Sequence, residues 1–248
     1  MTEAERPEGD WSDEGRSDHY NPLVNGLGRA AESGDTALVQ RLLAGGAEPD
    51  AYVIGGRRAL DLAVCAGHAE IVRLLLAAGA DPRLDAGAYD EATPMSLAAM
   101  NGDTDVARAL LDAGAPPGGP AGRMRHVPLV LAATRRDREH TELVDLLLER
   151  GADIEEETRD CTVLDWSARF GYPALVELLL ARGAVPTERT VREGTSGQWI
   201  TARRGPFSHD PDYKAVRTLL AAAWKGRPSP PGSPTRGAAW PGPRTSGR

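Results

Sequence analysis

A pair of adjacent leucines recurs six times in this 248-residue chain: Leu42-Leu43, Leu75-Leu76, Leu110-Leu111, Leu147-Leu148, Leu179-Leu180 and Leu219-Leu220. Successive pairs lie 33, 35, 37, 32 and 40 residues apart. The first five are each followed within a few residues by Gly-Ala, at Gly46, Gly79, Gly114, Gly151 and Gly183. Two signals held in register at one period mean an array of similar units rather than one core built from unlike elements.

The clearest unit, residues 58–83 (RRALDLAVCAGHAEIVRLLLAAGADP), reads as two short helices. Leu60, Ala63 and Val64 fall on one helical face, and Ile71, Val72, Leu75 and Leu76 form the apolar stripe of the second helix. Gly67 and Gly79 stop the two helices, because only glycine enters the left-handed region without cost. Thr93-Pro94 marks a helix start in the next unit: the Thr hydroxyl accepts from an orphan amide, and Pro has no amide to leave unpaired. Helices of about ten residues are marginal alone, so the core must form between stacked units.

Composition narrows the classes further. At 41% hydrophobic the chain can build a real core. It has no run of 18 apolar residues, and its first twenty residues are too acidic for a secretory signal. Cys65 and Cys161 are too few for a disulfide framework or an all-cysteine zinc site, which fits a reducing, cytoplasmic setting. Residues 1–18 carry seven acids and two bases, and residues 225–248 carry five bases and no acid. The two ends cancel, so the middle bears the whole net charge of −7, and the folded part is expected not to bind nucleic acid. Neither end shows helical periodicity; residues 1–20 read as a disordered acidic tail and 226–248 as a Pro/Gly/Arg-rich one in which PSPPGSP is a spacer.

The strings RALDLA (58–63), TPMSLA (93–98), VPLVLA (127–132) and TVLDWS (162–167), with the weaker LGRAAESGD (27–35), closely resemble the ankyrin repeat signature T-P-L-H-x-A at its 33-residue period. The resemblance implies an all-α solenoid of helix-turn-helix units with short β-turn fingers. Five repeats are expected, at 21–51, 52–83, 84–117, 118–154 and 155–186, with a degenerate cap at 187–225. The recognisable part of that cap runs from Trp199 to Trp224, with an insertion near Pro206–Pro211; a further insertion near Arg135–His140 separates the helices of the fourth repeat. The signature histidine is missing throughout, replaced by Gly28, Asp61, Ser96, Val130 and Asp165, which puts the family's inter-repeat hydrogen-bond ladder in doubt.

The same resemblance implies a non-catalytic module, a monomer, that binds a protein partner through its fingers and the concave face of its first helices. Carried over by register, the finger candidates are Tyr52, Ile54 and Arg57, then Tyr89 and Asp90, then Arg123, Met124 and His126, then Arg159. The inner-helix candidates are Met100, Asn101, Arg135, Arg169, Phe170 and Arg203. Arginine and aromatic residues dominate interface energetics, so this set suits a partner with an acidic surface. An inhibitor or effector that blocks one enzyme is a narrower version of the reading. The acidic N-terminal tail folding back onto the arginines is a regulatory one.

No nucleotide-binding loop, zinc-protease motif or nucleophile elbow occurs, and the five histidines are scattered singly, so neither a cofactor nor a metal is expected. Trp166 and the leucine stripes are expected in the core, and Cys65 as a packed small residue. The remote alternative from another class is a thiol enzyme using Cys161 with His126, which occupy equivalent finger positions in adjacent units.

Overall fold

The computed structural model describes residues 21–53, 56–86, 92–118, 127–135, 137–196 and 212–225. Helices come in consecutive pairs: α1 (Pro22–Ser33) and α2 (Thr36–Ala44), α3 (Ala59–Ala66) and α4 (Ala69–Ala77), α5 (Pro94–Asn101) and α6 (Thr104–Asp112). The pairs α7 (Pro128–Ala133) and α8 (Thr141–Glu149), α9 (Val163–Phe170) and α10 (Pro173–Ala181), and α11 (Glu188–Ser196) and α12 (Tyr213–Lys225) follow. First helices pack on first helices in chain order, α1 through α11, and second helices on second helices, α2 through α12. The array is the all-α stacked solenoid that the repeat period requires.

Local chemistry explains several helix boundaries. Asn21 accepts from Leu23 N at 3.0 Å, Thr93 from Ser96 N at 3.2 Å, and Thr162 from Asp165 N at 3.3 Å. Asp165 returns the bond by accepting from Thr162 N at 3.1 Å, which closes a capping box. Gly67 ends α3 with φ +75°. The core runs between rows and along the stack: Leu60, Val64, Ile71, Val72 and Leu75 are at most 1% exposed, as are their equivalents Leu110, Leu147, Val176 and Leu179. Each such side chain contributes about 1.5–3 kcal/mol by leaving water.

A second device joins the units. The last carbonyls of a helix have no partner inside it. At every unit boundary a side chain of the following unit bonds a carbonyl at, or just past, the end of the preceding first helix. His68 Nε2 lies 3.2 Å from Glu32 O, and Asn101 Nδ2 donates to Val64 O and Cys65 O, both at 3.2 Å. Arg135 donates to Met100 O, the Tyr172 hydroxyl to Arg135 O, and the Tyr213 hydroxyl to Arg169 O at 3.2 Å. Five side chains of four types thus do the work of one ladder. The signature-histidine position adds a rung in the fifth unit, where the Thr190 hydroxyl donates to Asp165 Oδ1 at 2.6 Å.

The sixth pair departs from the expected register. Only Ala184–Thr187 separate Gly183 from α11, so no finger precedes that helix, and α11 packs on α9. Thr187 and Thr190 cap α11 reciprocally, at 3.2 Å and 2.9 Å. Residues 197–211, between α11 and α12, are not among those described, so Arg203 and Arg204 lie outside the described residues. Among the described residues no helix is long and apolar enough to cross a membrane.

Candidate binding face

Two fingers are described. In the second unit, β1 (Tyr52–Val53) pairs antiparallel with β2 (Arg57–Arg58). Tyr52 is 62% exposed, and Arg57 is half-buried with its guanidinium 3.0 Å from Cys65 Sγ. Val53 seats the finger on α1, where a Cβ added to Gly28 would fall 2.5 Å from Val53 Cγ1. The close approach, not helix propensity, explains glycine at that place in the signature.

In the fifth unit Thr158 and Cys161 exchange backbone bonds around Arg159 and Asp160, whose φ values are +54° and +57°. Two left-handed residues make the tight hairpin turn whose twist matches the strands. Aspartate tolerates that region, whereas arginine is strained in it. Arg159 and Asp160 are both exposed.

The inner-helix ends complete the face. Met100 is 47% exposed. Asn101 and Arg135 are half-buried and committed to the carbonyl ladder, so stacking explains them before binding does. Arg169 lies 5.3 Å over the Trp166 ring and 3.8 Å from Glu193. Phe170 corrects the expectation of an exposed contact: it is buried, its ring 6.2 Å from Trp166 and 5.8 Å from Tyr172. Tyr172 stands where the second unit has His68, and its fully buried ring draws Phe170 inward. Trp166 is partly buried against the core, as expected. Ile54, Tyr89, Asp90, Arg123, Met124, His126 and Arg203 lie outside the described residues.

Sequence reasoning missed Arg58, which stands in the signature's threonine position and is fully buried. Its Nη2 donates to Asp61 Oδ1 at 2.9 Å and to Leu84 O at 2.9 Å; its Nη1 donates to Asp81 O at 3.2 Å and lies 3.6 Å from Asp50 Oδ1. One guanidinium therefore ties together the loops of three units beneath the fingers. Burial lifts the Asp61 carboxyl above its ordinary value, and Arg58 works against that rise.

The thiols show no activation. Cys161 is buried, and burial pushes its thiol up; Arg189, with Nη1 3.6 Å from the sulfur, only partly offsets this. A nucleophilic cysteine needs the opposite shift. Cys65 is exposed rather than packed, and desolvation raises its thiol as well. Among the described residues no group of His, Cys, Asp and Glu is placed to hold a metal ion.

The repeat geometry matches what comparison finds. A family model described as "Ankyrin repeats (3 copies)" matches residues 27–120, and one described as "Ankyrin repeat" matches residues 125–159. The chain belongs to the ankyrin repeat family. No curated protein matches it. Ankyrin repeats are protein–protein interaction modules, and the array here continues past the matched residues through α9–α12 with the same stacking.

Proposed function

We propose that this ankyrin array is a non-catalytic module that binds a protein partner along the face made by its fingers and first-helix ends. The observation that carries the reading is the solvent exposure of Tyr52 on a finger and of Met100 near the end of a first helix, in an array where most first-helix apolar residues are buried in the stack. Tyr52, Arg57, Met100 and Arg159 form the core of the site; Arg169 flanks it. Aromatic, Met and Arg side chains are the types enriched at interfaces. The exposed guanidinium of Arg159 favours an acidic partner surface. Preorganisation supports affinity, because finger and helix backbones need no ordering on binding. A reducing, cytoplasmic setting belongs to the same reading and is supported by the two free thiols.

Affinity capture tests this. Intact protein is compared with a Tyr52→Ala, Met100→Glu, Arg159→Glu variant and with Arg73→Glu, an exposed change on α4. A partner held by the intact protein and Arg73→Glu but lost by the triple variant supports the reading. Equal retention by all three removes it. If the captured partner is an enzyme whose activity falls on binding, the inhibitor form of the reading follows.

A further inference from the structure

The insertion in the fourth unit has no role in the binding reading, and its geometry gives it another. In the other units with an ordinary inner turn, a two-residue Gly-x link joins the helices: Gly34-Asp35, Gly67-His68, Gly102-Asp103 and Gly171-Tyr172. In the fourth, seven residues from Thr134 to His140 replace it. The first helix there, α7, has six residues against eight in α3, α5 and α9. Its N-cap, Val127, offers no side-chain acceptor, and its C-cap, Thr134, is not left-handed. By length and capping α7 is weaker than α3, α5 and α9.

Side chains of the insertion compensate. Arg135 donates from Nε to Asp137 Oδ1 at 2.9 Å and from Nη2 to Asp137 Oδ2 at 3.0 Å, a two-pronged pair. His140, almost wholly buried, places Nε2 3.1 Å from both Arg135 Nε and Asp137 Oδ1. Held this way, Arg135 reaches back to Met100 O in the third unit, and its own carbonyl accepts the Tyr172 hydroxyl from the fifth. One residue links three units.

We propose that the Arg135–Asp137–His140 cluster is a clamp that seats the fourth unit, and that its release opens the array locally at α7 and α8 while the units before it stay stacked. The inference stands apart from any partner. A chain with such a clamp changes the spacing between its third-unit and fifth-unit surfaces through one exposed contact, without global unfolding.

Native-state hydrogen exchange on the full chain tests it, with Asp137→Asn as the variant. Arg150→Gln is the control, because it deletes an exposed pair with Asp112 (2.8 Å) at the same unit boundary. The clamp predicts α7 and α8 amides exchanging about tenfold faster in Asp137→Asn, with α3 and α4 unchanged and Arg150→Gln like the parent. Unchanged α7 and α8 rates, an equal rise in α3 and α4, or the same local rise in Arg150→Gln would each overturn it.

Discussion

Arg58 shows how far a single side chain can depart from its family's chemistry and keep the fold. Threonine at this place would cap one helix locally. Arginine instead gives up hydration entirely, and Asp61, Asp81, Leu84 and Asp50 replace it. Arg58→Ala would leave the Asp61 carboxylate buried and unpaired, and is expected to cost about 3–5 kcal/mol in urea unfolding. Gly28 carries the reverse lesson. Glycine inside a helix usually yields about 1 kcal/mol to alanine, but here the added methyl would meet Val53. Gly28→Ala should therefore destabilise, by about 1–3 kcal/mol, and a gain in stability would mean the finger is seated elsewhere. Asp137 gives a pH signature. Hydrogen bonding from Arg135, aided by His140, holds its carboxyl well below the usual range. A depressed folded pKa contributes stability that is fully present above the unfolded value of about 3.9. The advantage of the parent over Asp137→Asn should thus be flat from pH 7 to about pH 4. It should shrink steadily in more acidic solution as the folded carboxylate is forced to protonate.

At the scale of helices, pattern and structure agree wherever burial sets the pattern. The leucine pairs fall on α2, α4, α6, α8, α10 and α12, the second-helix row. Leu147 is fully buried in α8. Leu147→Ala should cost about 2–5 kcal/mol by chemical denaturation, and a loss near zero would mean that the register of the stripe is wrong. What the pattern did not reveal has a physical cause in each case. The donors of the carbonyl ladder are a histidine, an asparagine, an arginine and two tyrosines, and only His68 and Tyr172 stand at equivalent places in the repeat. A requirement met by any long donor leaves no fixed letter to read. The 40-residue leucine spacing does not reveal that α11 follows Gly183 after only Ala184–Thr187, with no finger between. A spacing reports the length between two leucine pairs and not how that length is divided.

For the whole molecule, family and architecture were legible because stacking demands the same small and apolar residues in every unit. The candidate face was legible only in outline. Register assigns Tyr52, Arg57, Met100 and Arg159 to fingers and helix ends; Tyr52, Met100 and Arg159 are exposed there and Arg57 is half-buried. It cannot tell that Arg135 and Asn101 are occupied by carbonyls of the preceding unit, or that Tyr172 draws Phe170 into the core. The first outcome depends on contacts between units, which no single unit encodes, and the second on three aromatic rings stacking within the fifth unit. The account rests on one claim, that a partner protein meets the fingers and first-helix ends. Site-specific photo-crosslinking measures it most directly, with the probe placed in turn at positions 52, 100 and 159 and, on the exposed second-helix row, at 73, 108 and 177. The account predicts one partner protein attached from the first three positions and not from the other three. Attachment of that partner from positions 73, 108 and 177 alone would contradict it.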